Sequence, residues 1–204
     1  MRYQVSKGSE KCRADLQKVA LPVTVGSLIL VLALALSHPF DNAAGAARKP
    51  PPDRVPLGVS PYIAVPRNNF QTAEKIALGR RLFFDRRLSE DGSIACASCH
   101  RPESSFSDQR TTALGIYGRE GRRSTPSLSN VAFAKELFWD GRASSLEEQA
   151  LQPLTNPREM GVALEGALTY LRREPSYQQQ FENAFGPGEI SARRLGKALA
   201  AYQR

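Results

Sequence analysis

The chain has 204 residues, 41% of them hydrophobic and 24% charged, with a formal net charge of +8. That length and balance describe an ordinary globular protein of one or two domains with a real hydrophobic core. No basic run is interleaved with aromatic residues, so the positive charge reads as a solvated face or a docking patch for an acidic redox partner, and nucleic acid is not an expected partner.

Residues 1–18 form a cationic leader containing Arg2, Lys7, Lys11, Arg13 and Lys18. Val19 to Leu36 follows without a charge, and small residues appear at Ala43-Ala44-Gly45-Ala46-Ala47, where a peptidase could cut. Residues 1–47 therefore read as a secretory signal or as an uncleaved membrane anchor spanning 19–36, with the basic flank on the cytoplasmic side and the remainder exported to the periplasm. No Cys closes the apolar stretch, so a lipoprotein is not expected. Pro50, Pro51, Pro52, Pro56, Pro61 and Pro66 make residues 48–68 an extended linker. The globular domain is expected over 69–204. Thr72 caps a helix through Glu74, Ile76, Ala77, Arg80 and Phe83, with Glu74 well placed in its first turn. Asp91-Gly92-Ser93 is a turn.

Cys96-Ala97-Ser98-Cys99-His100 comes next, and the rest of the chain is organised around it. Two thiols flanking two residues, with a His directly after, is the attachment signature of c-type haem. Each Cys adds across one haem vinyl group, and His100 ligates the iron on the proximal side. The competing readings are a zinc knuckle and a redox disulfide. Zinc needs four ligands, and the chain offers only Cys12 and His38 beyond the motif, both in or beside the N-terminal segment. A dithiol redox site does not require the trailing His. Export fits the same reading, because c-type attachment takes place outside the cytoplasmic membrane.

Residues 101–127, with Pro102, Gly115, Gly118, Gly121 and Pro126, read as a long loop wrapping something, and long ordered loops are usually functional. Ser145-Leu146-Glu147-Glu148 is a capping box opening a short helix through Gln149 to Leu151. Pro153 and Pro157 are expected to break the chain. Helices are expected at 162–173, 176–185 and 191–204, separated by Pro175 and Gly186-Pro187-Gly188. Strand signals are nearly absent. The fold class is all-α, a cytochrome c-like haem domain with long loops.

A wider pattern surrounds the haem motif. Leu78-Gly79-Arg80-Arg81-Leu82-Phe83-Phe84-Asp85 precedes it. Phe106-Ser107-Asp108 and Arg123-Ser124-Thr125-Pro126-Ser127-Leu128-Ser129-Asn130 follow, then Phe138-Trp139-Asp140-Gly141-Arg142, Leu146-Glu147-Glu148-Gln149 and Asn156-Pro157-Arg158-Glu159-Met160-Gly161. This ordered set resembles the N-terminal haem domain of bacterial di-haem cytochrome c peroxidases, over Gly79 to Arg204. The resemblance implies one covalent haem c here, held by Cys96, Cys99 and His100, and reduction of hydrogen peroxide with electrons from a small cytochrome c or blue-copper protein. It implies that Gln149 and Glu159 line the peroxide pocket and that Trp139 lies between this haem and a second one. Taken alone, Glu159 would read as a helix cap or a partner of Arg158, Gln149 as a solvated helix residue and Trp139 as core.

Two departures from the family pattern stand out. Where a distal His often lies, this chain has Ile116 beside Tyr117, so the site is expected to be open or water-ligated, with Tyr117 the one neighbouring side chain able to ligate. The second haem motif is absent and the chain stops at Arg204 within a helical pattern, so it reads as a fragment lacking the second haem domain. Ser124 stands where Asn is usual, which leaves the family's interdomain calcium site in question. A homodimer is compatible with the resemblance. The alternatives are a di-haem oxidase related to the enzyme that matures tryptophan tryptophylquinone, and a mono-haem electron carrier with His100 and Met160 as axial ligands.

Overall fold

The computed structural model describes residues 63–204. The leader, the apolar stretch 19–36 and most of the Pro-rich linker lie outside the described residues. Helix α1, Ala73–Phe84, begins where the Thr72 side chain accepts a hydrogen bond from the Lys75 amide at 3.3 Å. Its buried residues Leu78, Gly79, Leu82 and Phe83 recur at helical spacing on one stripe. The four-residue helix α2, Cys96–Cys99, carries the thiols. Two more short helices, α3 (Leu146–Gln149) and α4 (Gln152–Thr155), follow a long non-helical stretch. Helices α5 (Leu164–Arg173), α6 (Pro175–Phe185) and α7 (Ala192–Gln203) complete the fold.

Helix α7 lies against α1, and the contact is backbone to backbone. A Cβ added at Gly79 would come within 2.0 Å of the Ala198 carbonyl oxygen and 2.9 Å of Tyr202 Cβ. Gly196 plays the same part toward α3, where a Cβ would meet the Glu147 carbonyl at 2.5 Å. The core collects Leu78, Leu82 and Phe83 from α1, Leu171 from α5, Tyr177 and Phe181 from α6, and Leu195 and Leu199 from α7. Asn69, fully buried, ties the start of this unit to α3 and α7 by donating to Glu147 Oε1 at 2.7 Å and to the Lys197 carbonyl at 3.1 Å.

The described residues contain no strand. Residues 100–145 hold only short 3₁₀ turns and three isolated bridges, Arg101 with Ser107, Leu114 with Glu120 and Leu137 with Ala143. The wrapping loop thus runs further than 101–127. Pro153 does not break the chain as expected. It sits in the first turn of α4, where its missing N–H has no helical partner to lose. The capping box at Ser145 is half formed: Ser145 Oγ accepts from the Glu148 amide, whereas the Glu148 carboxylate turns to the amide and hydroxyl of Ser144. Helix α5 starts at Leu164 rather than 162, because Gly161 takes φ +65° and the Val162 amide bonds to the Leu154 carbonyl.

One buried carboxylate locks α1 to α5 and α6. Asp85, 9% exposed, accepts from Arg87 through its amide and guanidinium, from Tyr177 Oη at 2.7 Å and from Tyr170 Oη at 3.2 Å. Burial alone would raise its pKa, but the hydrogen bonds from Arg87 and Tyr177 and the Arg87 charge outweigh it and hold the carboxyl below the ordinary range. An Asp whose folded pKa is depressed contributes stability above its unfolded value and loses it as pH falls through the folded one. Asp85→Asn, which places an amide donor among these donors, should therefore lower stability by about 1–3 kcal/mol at neutral pH. The gap from wild type should close on acidification below about pH 4. Chemical denaturation across that pH range checks both, and a pH-independent gap would contradict the assignment.

Candidate functional site

Helix α2 is built to present its ends. The Ala95 amide donates to Ser98 Oγ at 2.9 Å, closing the helix start, and the His100 amide donates to the Cys96 carbonyl at 2.9 Å. Cys96 and Cys99, three residues apart, fall on one helix face, and both line a cavity of about 750 Å³. Backbone angles at His100 (φ −98°, ψ 76°) leave the helix, and its imidazole joins the same wall. Its Nδ1 pairs with the Phe106 carbonyl oxygen at 3.0 Å, which leaves Nε2 as the nitrogen available to a metal. Burial lowers the His100 pKa against the opposing pull of the Phe106 and Pro126 carbonyls and Asp108, which favours the neutral ring with a lone pair for a metal.

The same burial pushes the Cys96 thiol up to about 12 and raises that of Cys99. Both are free thiols in the structure. Among the described residues no group of three or more His, Cys, Asp or Glu side chains could hold a metal ion, so the zinc reading of this motif finds no ligand set. A c-type haem fits better. The cavity lies within the roughly 300–1,000 Å³ of cofactor pockets, and its wall carries both thiols and the His100 ring, whose Nδ1 is taken by the Phe106 carbonyl.

The opposite parts of the wall come from residues 113–142 and from the segment after α4. Gly115 makes this closure possible: a Cβ there would stand 2.0 Å from the Arg158 carbonyl oxygen and 2.8 Å from that of Glu159. The next amide, of Ile116, donates to the Glu159 carbonyl at 2.9 Å. Glu159 lines the cavity, and its Oε1 accepts from Asn156 Nδ2 at 2.6 Å. Burial raises its pKa, and the Asn156 hydrogen bond and the Arg142 charge only partly oppose this. Its side-chain partner is thus Asn156; Arg158 turns instead to the Glu120 carbonyl at 3.1 Å. Gln149, half-buried at the end of α3, also lines the cavity; its backbone amide donates to the Ser145 carbonyl at 2.9 Å, while its side-chain carboxamide makes no hydrogen bond among the described residues.

Trp139 is not core. It sits 60% exposed at the cavity rim in the turn after Phe138 (φ 66°), with Nε1 donating to the Ser124 carbonyl at 2.8 Å. Tyr117 is not placed to ligate. It lies outside the cavity wall, is 59% exposed and packs its ring against Arg119, while Ile116 beside it is fully buried behind the Glu159 backbone. Met160 is buried in the core and also reaches the cavity wall. The structure therefore brings Cys96, Cys99, His100, Gln149 and Glu159 around one space with Trp139 at its edge. Asn156, Phe83 behind His100 and the amide of Ile116 were not singled out from the sequence. Only Asn156, three residues before Glu159, carried a local signal.

The model for the family described as di-haem cytochrome c peroxidase matches residues 73–204. The methylamine utilization protein MauG of Methylophilus methylotrophus is 42% identical over 163 residues, covering 80% of this chain and 48% of that protein. The cytochrome c551 peroxidase of Nitrosomonas europaea is 35% identical, covering 86% of this chain and 49% of the peroxidase. A solved MauG-like protein associated with microbial copper homeostasis superposes with a TM-score of 0.67 at 34% identity, covering 74% of this chain and 45% of that one. This chain spans about half the length of the curated relatives it matches. With this match over the whole haem-motif region, the chain belongs to the di-haem cytochrome c peroxidase family.

Proposed function

We propose that residues 69–204 form the peroxide-reducing haem domain of an exported di-haem enzyme, which converts hydrogen peroxide to water with electrons from a small redox protein. The observation that carries this reading is Glu159: a carboxyl with a raised pKa, held by one amide, facing the same cavity as the Cys-x-x-Cys-His motif. A haem c held by Cys96 and Cys99 and ligated by His100 would supply the iron at which peroxide is reduced. The protein's part is acid–base and positional. Glu159 Oε1 is engaged by Asn156, so Oε2 is the oxygen free to take the proton of the bound peroxide and return it to the departing oxygen. The uncommitted side-chain carboxamide of Gln149 supplies a hydrogen bond that orients peroxide or water in the pocket. Trp139, its indole N–H anchored to Ser124, offers an electron path at the rim. Residues 1–47 would deliver the chain to the periplasm, where the thioethers form.

A second reading, an oxidase of the MauG kind, is favoured by the 42% identity to the MauG of Methylophilus methylotrophus. Products separate the two: water from peroxide with a redox-protein donor, or an oxidised amino-acid side chain on a substrate protein. A mono-haem carrier ligated by His100 and Met160 has less support, since the relatives are peroxidases and MauG proteins.

Protein matured with a c-type haem apparatus should keep its haem through acid–acetone extraction, and Cys96→Ala with Cys99→Ala should release it; haem loss from wild type would refute the motif reading. Apart from His100, no imidazole lies among the described residues, so the oxidised protein should bind cyanide without prior reduction, as followed by its absorption spectrum. Glu159→Gln should slow peroxide consumption by roughly 10²–10⁴-fold in stopped flow. The wild-type rate should rise with pH along a limb displaced above the ordinary Glu range. Asn156→Ala should move that limb higher still, because the lost amide hydrogen bond favours the ionised carboxylate. An unchanged rate in Glu159→Gln would remove this residue from the mechanism.

A further inference from the structure

We propose that the groove where the end of α6 meets α1 and the start of α7 binds a phosphate-bearing anion through Lys75, Arg193 and Lys197. The site is independent of the haem reading, since no residue is common to this groove and the haem cavity. The groove holds about 500 Å³, and its wall carries Lys75 of α1, Phe185 of α6, and Arg193, Arg194 and Lys197 of α7. That volume lies within the roughly 300–1,000 Å³ of small-molecule sites. No carboxylate lines the groove, and none of its four cations forms an ion pair among the described residues.

Four like charges around one concavity repel one another, and the lysines register it. Burial lowers the Lys197 pKa, the Arg193 and Lys75 charges lower it further, and Glu147 only partly opposes them. Burial also lowers the pKa of Lys75. Glu147 does not neutralise the groove, because its carboxylate is engaged by Asn69 and Arg204. Phe185 lies against two of the cations, with Lys75 Nζ 5.2 Å and Arg194 Cζ 5.8 Å from its ring centroid, which holds them in place without cancelling their charge. An anion seated among these side chains would offset the repulsion.

The donors left free describe the ligand. Lys75 Nζ donates to the Phe70 carbonyl at 2.9 Å, and Lys197 Nζ donates to the Asn68 carbonyl. An ammonium has three N–H groups, so two remain on each lysine. Arg193, exposed at the second position of α7, makes no side-chain hydrogen bond among the described residues, so its whole guanidinium fork is free. Arg194 is a holding group instead, with its guanidinium bonded to the carbonyls of Gly186, Pro187 and Gly188 in the turn after α6. A carboxylate offers two oxygens and one charge, fewer than these donors can engage. A phosphate monoester or pyrophosphate group brings three or more acceptor oxygens and up to two charges on one phosphorus, in the strong, charge-assisted class of hydrogen bond. Such a group is carried by soluble phosphate esters and by the head group of phosphatidic acid alike.

The test uses the haem-loaded chain. Calorimetric titration with pyrophosphate at low salt reads the soluble ligand, and co-sedimentation with phosphatidylcholine vesicles, with and without phosphatidic acid, reads the lipid source. Arg193→Glu and Lys75→Glu should each weaken pyrophosphate binding at least tenfold. Arg173→Glu, which changes the net charge equally at an exposed position of α5, should stay within twofold of wild type. Should Lys75→Glu fold poorly, Arg193→Glu carries the test, as its side chain has no hydrogen bond to lose. Pyrophosphate binding alone identifies a soluble ligand, whereas extra sedimentation with phosphatidic acid that Arg193→Glu removes identifies a lipid one. Absence of binding to both probes, unchanged binding in Arg193→Glu, or an equal loss in Arg173→Glu would each overturn the site. Tighter binding of an acidic peptide than of pyrophosphate would overturn phosphate as its ligand.

Discussion

The backbone contact between α1 and α7 is the constraint on which the remaining geometry depends. With no side chain at Gly79, the Ala198 carbonyl can lie where a Cβ would otherwise be. That close approach sets the separation of the two longest helices of the described residues, and one turn further on it puts Phe83 and Tyr202 into ring contact. Phe83 then stands behind His100 as a fixed wall of the cavity. A methyl group at position 79 would act directly on helix packing, but its effect would reach the haem side through Phe83, because packed interiors transmit small displacements instead of absorbing them.

The loops that complete the cavity obey a different rule. Residues 100–145 lack a helix or sheet to satisfy their backbone, so they are held by isolated bridges, side-chain hydrogen bonds and unusual torsions. All six non-glycine residues with positive φ among the described residues, from Ser105 to Phe138, fall within this stretch. Such conformations cost about 1–3 kcal/mol each where the residue does not favour them, and they persist only when the surroundings determine them. The Gly115 contact with Arg158 and the Ile116 bond to the Glu159 carbonyl are two such determinants. They fasten the loop to the segment that carries the carboxyl proposed for proton transfer, and fix the backbone of Glu159 against it.

Two partly or fully buried carboxyls show how environment divides structural from chemical use. Asp85 meets a guanidinium and two phenols, and its charge is stabilised. Glu159 meets a single amide, and burial prevails, so its neutral form is favoured. The first is a lock between helices; the second is a carboxyl whose titration burial moves above the ordinary Glu range. Both follow from the number of donors that desolvation must be weighed against.

The Cys-x-x-Cys-His motif, the all-α character and the approximate boundaries of α1 and α7 were legible in the sequence because each depends on local chemistry: ligand spacing within one turn, a capping Thr72, the Gly186-Pro187-Gly188 break before α7, and apolar residues at helical intervals. The ordered motifs also marked Gln149 and Glu159 as neighbours of one site. What only the tertiary structure decided lies at contacts between distant segments. That Asn156, not Arg158, holds Glu159, that Tyr117 points to solvent and that Trp139 lies exposed at the rim all depend on how residues 100–145 fold back. The conversion of Pro153 from a breaker into a first-turn residue shows the same limit, since a missing N–H is costly only where a helix would have used it. Gly79 and Gly115 appear in sequence as ordinary glycines. Their necessity arises from the carbonyls of Ala198 and Arg158, residues that only the folded chain brings within reach.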